Sequence, residues 1–292
     1  YQVIRTVSVM FFQFFLAYFI PEIMEGLNLG AGDSYFTKDL KHFWPLNYYF
    51  FDSWHLDNMQ SSNFGMFYLV WGIVGFAVIT PFLSYFLGKR WYCSWVCGCG
   101  GLAETAGDTF RHLSSKKLSA WKLERWLIHS VLVYIVLVTA VVLYGYFTAN
   151  SEIFGLSIYT YFSRPYAFLI GATFSGVIGV GFYPLLGSRV WCRFGCPMAA
   201  YMGVFQRLKS KFRITTNGGQ CISCGNCSTY CEQGIDVRHY AQRGQNIVRA
   251  SCVGCGICSE VCPRGVLKLE NGPEKGRTKS PQVLVRNDSF GA

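Results

Sequence analysis

The chain has 292 residues, of which 51% are hydrophobic, 17% aromatic and 14% charged, and its formal net charge is +10. Ordinary soluble domains are roughly 25% charged, so this composition excludes a disordered chain, a coiled coil and an ordinary cytosolic enzyme. The chain begins at Tyr1 rather than at a methionine, and we expect it to be a trimmed or partly ordered product.

Four apolar segments are each predicted to form a transmembrane helix, which needs about 20 mostly apolar residues. The predicted spans are residues 4–20, 64–87, 126–147 and 166–186. The first span is short and contains Arg5, so a buried helix of a soluble domain is the alternative for that segment. Pro81 and Pro184 lie near span ends, and membrane helices tolerate proline.

Positive charge is concentrated in two of the connecting regions. Residues 88–125 carry seven Lys and Arg against three acidic residues, and residues 187–292 carry fifteen against six. Residues 21–63 carry two against six. Because Lys and Arg favour the cytoplasmic side, both termini and the 88–125 loop are predicted to face the cytoplasm. The sequence therefore indicates a multi-pass protein of a bacterial or archaeal cytoplasmic (inner) membrane.

The loop at residues 21–63 is rich in Trp, Tyr and Phe. Amphipathic aromatic residues favour the membrane–water interface. We therefore expect this loop to lie flat on the outer surface of the membrane, and a partner-docking surface is the alternative.

Each positively charged region begins with a C-x3-C pair at the end of a predicted span. The repeated cysteines are Cys93, Cys97, Cys192 and Cys196, with Cys99 as an additional thiol in the first copy. Residues four apart lie on one face of a helical turn, so the two pairs can present four thiolates to one iron–sulfur cluster or other metal. A dithiol that cycles to a disulfide, or buried packing cysteines, are the alternatives. Cys99 is a candidate substitute for Cys97 as a ligand.

Histidine is scarce in the predicted spans, where His129 is the one example. Polar groups in membrane spans are functional candidates, and this imidazole can hydrogen-bond a quinone carbonyl. A hydrogen bond to a neighbouring helix is the alternative. Since a bis-histidine haem needs two intramembrane histidines, no haem is expected from this chain alone.

Two cysteine runs near the C-terminus share the spacing C-x2-C-x2-C-x3-C. That spacing is typical of bacterial two-cluster ferredoxins, in which the fourth cysteine of each run ligates the other cluster. One predicted [4Fe–4S] cluster is held by Cys221, Cys224, Cys227 and Cys262, and the other by Cys252, Cys255, Cys258 and Cys231. Zinc and disulfides are weaker interpretations, because eight cysteines follow one double register and the cytoplasm is reducing. Glu232 departs from the motif, since proline is expected after Cys231.

The predicted fold is an α-helical membrane protein, with four transmembrane helices in two repeats and a cytoplasmic two-cluster ferredoxin domain of the bacterial α+β type. The predicted boundaries are 1–187 for the membrane domain with its motif loop 88–125, 188–215 for the second cysteine pair and connector, 216–270 for the ferredoxin domain and 271–292 for a polar tail.

These motifs resemble those of the membrane-bound polyferredoxins of the NosR and NapH type. The hallmark of that family is paired C-x3-C-P motifs at helix ends together with two C-x2-C-x2-C-x3-C-P motifs. The second pair, followed by Pro197, matches in full, whereas Gly98 stands where the first copy would have proline. The resemblance extends over nearly the whole chain. It implies membrane electron transfer, often with oxidation of a quinol that supplies an extracytoplasmic reductase.

We therefore expect a membrane-bound electron-transfer subunit that passes electrons between a quinone and two [4Fe–4S] clusters in a respiratory or photosynthetic oxidoreductase complex. Its expected partners are membrane lipid, quinone and other subunits of that complex. An assembly factor that reduces a metal ion or a thiol for another enzyme is the alternative function, with the C-x3-C cysteines as working residues. A redox sensor is disfavoured, because the sequence shows no output domain.

Overall fold

The computed structural model of the chain describes residues 2–27, 39–61, 63–153, 155–208 and 210–271. Most of these residues are helical, and the strands form two small antiparallel sheets. The predicted polar tail lies outside the described residues apart from Asn271, which ends the last strand.

Three of the described helices are long and apolar enough to cross a membrane, at Val3–Met24, Gly65–Leu87 and Leu118–Thr148. The first two belong to helices that we call α1 (residues 2–26) and α3 (residues 63–87), and each contains one π-helical turn. The third is α6, which begins eight residues before the predicted span at 126–147. The apolar composition of the chain is thus reflected in helices typical of a membrane protein.

The fourth predicted span, residues 166–186, is not one of these three candidate membrane helices, and most of it lies in a helix that begins further towards the N-terminus. Helix α7 covers residues 159–181 and consists largely of π-helical turns, interrupted by α-helical geometry at Arg164–Tyr166. It follows a short hairpin of β1 (Glu152–Ile153) and β2 (Leu156–Ser157).

Residues 39–52 lie between the helices of the bundle. The ring of Phe43 approaches Gly75 and that of Phe50 approaches Gly72, both in α3. Trp44 Nε1 donates a hydrogen bond to Thr139 Oγ1 of α6 at 2.9 Å. The expectation that this loop lies flat on the membrane surface is therefore wrong for these residues, because their aromatic rings fill space between helices. Helix α2 (Ser53–Gln60) follows them.

Helices α3 and α7 are each followed by the same local structure. In each copy, a glycine with positive φ precedes a short helix that carries the first cysteine of the pair. The glycine is Gly88 directly after α3, and Gly187 after the short helix at Tyr183–Leu186 that follows α7. A second helix begins just after the second cysteine of each pair. The short helices are α4 (Arg90–Cys93), α5 (Gly98–Glu104), α8 (Tyr183–Leu186), α9 (Val190–Phe194) and α10 (Pro197–Leu208). The backbone thus repeats along with the sequence.

The C-terminal cysteine runs form a compact unit that we call the ferredoxin unit. Strand β3 (Phe212–Thr216) pairs antiparallel with β4 (Leu267–Asn271), so the unit begins four residues before the predicted boundary at 216. This pairing brings together the two ends of the ferredoxin unit. Both strands lie outside the cysteine runs, so the cysteine spacing alone does not predict them. Its short helices are α11 (Asn226–Thr229), α12 (Val237–Gln242) and α13 (Ile257–Glu260).

The ferredoxin unit packs directly on the helices that carry the C-x3-C cysteines. Gln206 of α10 donates hydrogen bonds to the carbonyl oxygens of Arg249 and Cys252, both at 2.8 Å, and accepts one from the backbone of Lys89 at 2.6 Å. Ser94 Oγ donates to the carbonyl of Val253 at 2.6 Å. These buried bonds join both repeats to the ferredoxin unit.

Candidate iron–sulfur sites

The first ferredoxin site is a small cavity lined by four cysteines. Its cysteines are Cys221, Cys224, Cys227 and Cys262. The first three come from one run and the last from the other, so the structure brings together the four cysteines of the predicted crossed set, whose ligation of one cluster stays a prediction. Pro263 and Val266 add apolar lining, and Arg238 and Arg264 lie at the wall.

The second ferredoxin site is a separate small cavity. Its cysteines are Cys231, Cys252, Cys255 and Cys258. Cys258 is 4% exposed, whereas Cys224 in the first ferredoxin site is exposed. The second site is therefore deep in the molecule and the first lies near its surface.

The backbone of the two runs repeats with a period of 31 residues. Positive φ angles occur at three matched pairs of positions: Ser223 and Gly254, Gly225 and Gly256, and Gly234 and Gly265. Left-handed backbone of this kind turns N–H groups towards one side of the loop, where sulfur atoms can accept hydrogen bonds. One such bond runs from the backbone of Ile235 to Cys231 Sγ at 3.3 Å.

The two cavities fit a multi-atom cluster better than a single zinc ion. Tetrahedral zinc holds thiolate sulfurs about 2.3 Å away, which places them about 3.8 Å from one another. Among the residues that the structure describes, no group of three or more His, Cys, Asp or Glu side chains is arranged to hold one metal ion. Four cysteines in the ferredoxin spacing are instead the donor set that a [4Fe–4S] cluster takes in ferredoxins.

The five remaining cysteines come together in one core, which we call the juxtamembrane cysteine site. Cys93, Cys192 and Cys196 are 4–7% exposed and share a buried core, against which Cys97 and Cys99 pack. The two sequence repeats, 99 residues apart, therefore meet at their cysteines. The structure brings thiols from both repeats into one packed core.

The four-residue spacing predicted that the two cysteines of each pair share one helical turn. In the structure they do not. Cys93 is the last residue of α4 and Cys97 is the N-cap residue of α5, so the helical geometry is interrupted between them. The Cys97 N–H bonds to the carbonyl of Tyr92 at 2.8 Å, and the Cys196 N–H bonds to that of Trp191 at 2.9 Å. This matched five-residue turn interrupts the helix, so each pair brackets a bend instead of sharing a face.

Hydrogen bonds and charge set the protonation of the juxtamembrane thiols. Burial raises the pKa of Cys93 and of Cys192. The pKa of Cys97 is instead lowered to about 6, because the Cys99 thiol and nearby backbone N–H groups donate hydrogen bonds to its sulfur. Cys99 therefore lies beside Cys97 as a hydrogen-bond donor. The sequence had suggested Cys99 as a ligand in place of Cys97.

A buried ion network connects the juxtamembrane cysteine site with the second ferredoxin site. Its carboxylates are Glu104 and Glu232, and its central guanidinium groups are those of Arg5 and Arg189, with Arg111 at one side. The four central side chains are fully buried. Burial acts to raise the pKa of Glu232, but Arg189 and Arg5 outweigh it and hold that pKa at about 2. The network was not predicted from the sequence, although Arg5 in an apolar segment and Glu232 in place of proline were its signals.

His129 lies on the open side of α6. Its Nδ1 is 2.7 Å from the carbonyl oxygen of Arg125 in the same helix, not in a neighbouring one. Its side chain lines an open groove of about 730 Å³ together with Trp126 and Tyr134. His129 is remote in sequence from the juxtamembrane cysteines, and its helix packs against α9 and α10, which carry or follow the second pair.

Comparisons with protein families separate the ferredoxin unit from the segments that carry the C-x3-C pairs. Residues 214–269 match a family described as "4Fe-4S dicluster domain". Residues 69–120 and 169–215 match a family described as "4Fe-4S binding domain", and these two segments contain the two C-x3-C pairs. The chain therefore contains ferredoxin-type domains that bind [4Fe–4S] clusters in other proteins.

One curated relative comes from Escherichia coli (strain K12) and bears the name "Putative electron transport protein YccM". The two sequences are 30% identical over 178 residues, which is 56% of this chain and 46% of that protein. The aligned region thus spans less than half of the relative. No solved structure matches the chain.

Proposed function

We propose that this chain is a membrane-bound electron-transfer protein with two [4Fe–4S] clusters in the ferredoxin unit and a third at the juxtamembrane cysteine site. The observation that carries the proposal is a contact between sites. Cys255, which lines the second ferredoxin site, packs against the core that holds Cys93, Cys192 and Cys196. Three cysteine sites therefore lie in one continuous packed unit that reaches from the helix bundle to the surface.

The chain supplies the features that such a protein needs. The clusters, when bound, supply one-electron oxidation and reduction, with potentials set by hydrogen bonds, charge and exposure. The thiolates bind them, and backbone groups such as the Ala199 N–H, 3.4 Å from Cys196 Sγ, hydrogen-bond to the sulfurs. The buried core around Cys192 and Trp191 excludes solvent from the juxtamembrane site.

The first ferredoxin site is the proposed contact point for a redox partner. Cys224 is exposed there, and Ile222 beside it is 56% exposed. Arg238 and Arg264 give the same face positive charge. Partners of complementary charge associate faster and in a preferred orientation. We therefore expect another subunit or carrier of a respiratory or photosynthetic complex to present an acidic surface to this face.

The orientation in the membrane follows from the distribution of charge. The ferredoxin unit and the loop at 88–117 adjoin one end of the long helices, and Lys and Arg are concentrated in these regions. The positive-inside rule supports a cytoplasmic ferredoxin unit. Helix α7 is 23 residues long, and we propose that it forms a fourth span beside the three helices that are long and apolar enough to cross the bilayer. A reporter fused after Ala292 should be active in the cytoplasm, and activity only outside it would reject this topology.

Quinone is the proposed membrane substrate, and the groove at His129 is the proposed site. The groove is open and its apolar lining at Trp126, Val133 and Leu137 is more than half exposed, so we propose that this side of α6 faces lipid and admits a quinone head group. His129→Gln should slow reduction of the clusters by a water-soluble quinol analogue about tenfold or more, a typical share for one positioned acid–base group. Ser130→Ala in the same groove is the matched control, since the Ser130 hydroxyl bonds only its own helix carbonyl at Trp126. Equal rates in the two variants would remove His129 from the proposal.

Metal analysis of the purified full chain tests the proposed function directly. We expect iron and acid-labile sulfide in equal amounts, with signals of reduced [4Fe–4S] clusters in electron paramagnetic resonance after dithionite treatment. Zinc without sulfide would overturn the proposal. The finer assignment to the NosR and NapH polyferredoxin type rests on the motif resemblance and would be strengthened by reduction of the clusters with a quinol.

A further inference from the structure

Glu232 occupies a central position in the buried ion network. It directly follows Cys231, a cysteine of the second ferredoxin site, and it lines the cavity of that site. Its side chain is fully buried. A buried carboxylate is costly unless positive partners surround it, so its contacts decide what it does.

The main partner of Glu232 is Arg189, which reaches it from the other cysteine region. Arg189 Nε lies 3.0 Å from Glu232 Oε2, and Arg189 Nη2 lies 3.2 Å from Glu232 Oε1. The same guanidinium extends to the juxtamembrane cysteine site. Its Nη1 donates to the carbonyl of Cys93 at 3.3 Å and lies 4.0 Å from Cys192 Sγ. One ion pair therefore touches both redox sites.

Arg5 and Glu104 complete the network. Arg5 Nη1 donates to the carbonyl of Cys255 at 3.0 Å, so this guanidinium adjoins the second ferredoxin site. Glu104 Oε1 accepts from Arg5 Nη2 at 2.5 Å and from Arg189 Nη2 at 3.1 Å. Two carboxylates thus balance two guanidinium groups in a region without exposure to solvent.

We propose that Glu232 is a positioning residue that holds Arg189 against the juxtamembrane cysteine site and, by balancing the charge of Arg189 and Arg5, sets the reduction potentials of both adjoining sites together. The inference rests on the proposed function, since it requires clusters at both sites. Its physical basis is that electrostatic interactions are strong where solvent is excluded. A reduced cluster carries one more negative charge, so each uncompensated guanidinium beside it favours reduction.

The departure from the ferredoxin motif supports this role. The position after Cys231 commonly holds proline in this motif, and the equivalent position in the second run is Pro263, which is exposed. Proline has no charge and cannot balance Arg189. The carboxylate occurs in the first run, after Cys231, and not in the second. Cys231 lines the second ferredoxin site, which is the one that adjoins the juxtamembrane cysteines. The substitution thus coincides with the contact between the two regions.

Redox titration of the full chain in detergent, followed by electron paramagnetic resonance, tests the proposal. Glu232→Gln keeps the shape of the side chain and removes its charge, so the guanidinium groups are left in excess. We expect the potentials of the juxtamembrane and second ferredoxin sites to rise together, with about a tenfold or larger increase in the ratio of reduced to oxidised site, equivalent to about 59 mV. The potential of the first ferredoxin site should change least.

Two further variants separate charge from structure. Arg189→Gln should lower the potential of the juxtamembrane site, and Glu232→Asp, which keeps the charge, should return both potentials towards the wild type. Glu124→Gln is the matched control, because Glu124 is also buried and pairs with an arginine, Arg193, at 2.7 Å. Arg193 also donates a hydrogen bond to the carbonyl of Ser115. Glu124→Gln should move both potentials less than Glu232→Gln.

The outcomes distinguish this inference from the proposed function. Absence of iron and sulfide in the wild-type chain would reject the proposed function itself. Wild-type cluster content in Glu232→Gln with unchanged potentials, or with a shift at one site only, would overturn the inference. If Glu232→Gln does not fold, Glu104→Gln supplies the same test, since Glu104 contacts both guanidinium groups; unchanged potentials in that variant would again contradict the proposal.

Discussion

The ferredoxin unit and the juxtamembrane cysteine site are built in different ways. In the ferredoxin unit, eight cysteines lie within 42 consecutive positions, and their spacing with a few left-handed backbone positions creates two cavities. The juxtamembrane cysteines come from two segments 99 residues apart, and they meet only because two helix repeats pack together. Local sequence determines the first arrangement and tertiary packing determines the second.

This difference predicts different sensitivities. The ferredoxin sites should depend chiefly on their cysteines and on the turns between them. The juxtamembrane site should depend also on residues that support the helix repeats from a distance, such as Phe43 in the inserted segment and Gly100 in α5. Substitutions that leave all cysteines intact therefore separate the two regions.

The largest expected effect is the loss of a whole cluster from the ferredoxin unit. Cys221→Ala removes a ligand of the first site, so adding Cys262→Ala should cause no further loss of iron. Adding Cys231→Ala instead should remove the iron of the second site as well, because the fourth ligands are crossed. Iron content per chain is the measurement. Further loss with Cys262→Ala and none with Cys231→Ala would show that the ligands are not crossed.

Removal of the Phe43 ring should destabilise the juxtamembrane region selectively. Phe43 is 5% exposed and belongs to the same buried core as Tyr92 and Cys93. Phe43→Ala should cost about 3–5 kcal/mol of stability, the usual range for a buried phenylalanine. Phe147→Ala is the control, since that ring is 81% exposed on α6. Thermal unfolding in detergent should show a lower transition for Phe43→Ala alone, and equal transitions would remove the inserted segment from this account.

A smaller effect is expected from a methyl group at Gly100. A Cβ atom there would lie 2.4 Å from the carbonyl oxygen of Cys93 and 3.3 Å from Arg189 Nη1. Gly100→Ala should therefore cost about 1–3 kcal/mol through overpacking and should perturb the spectrum of the juxtamembrane site. Ala199 occupies the equivalent position of the other repeat, so the requirement for glycine belongs to the first repeat only.

The matched control is Gly176→Ala, because in the part of the chain that the structure describes no atom beyond the neighbouring backbone of its own helix lies within 4 Å of a Cβ built at that position. Stability should stay the same or increase slightly there. A perturbed juxtamembrane spectrum in Gly176→Ala, or an unchanged one in Gly100→Ala, would contradict the packing described for α5.

Sequence patterns predicted those parts of the molecule that depend on local spacing or on long apolar runs. The C-x2-C-x2-C-x3-C runs predicted which four cysteines line each cavity, because ligand spacing in a ferredoxin is a local property. Apolar length predicted the first three long helices. It did not predict the start of α6 at Leu118, since the first turns of that helix carry Lys122 and Glu124 and are polar.

The remaining errors arise from long-range packing. Aromatic residues favour both membrane interfaces and protein interiors, so composition alone did not show that residues 39–52 insert between helices. The C-x3-C spacing fits one helical turn, but the turns at Cys97 and Cys196 interrupt the helices. The network around Glu232 joins residues up to 227 positions apart along the chain, and only the unexpected charges pointed to it.

Quantification of iron and sulfide in the full chain and in a Cys192→Ser variant tests the central claim most directly. The wild-type chain should contain iron and sulfide equivalent to three [4Fe–4S] clusters, and the variant should contain the equivalent of two, with the signals of the ferredoxin unit retained. Two clusters in both proteins would contradict the account, because the juxtamembrane cysteines would then pack the helix repeats together without holding a redox centre.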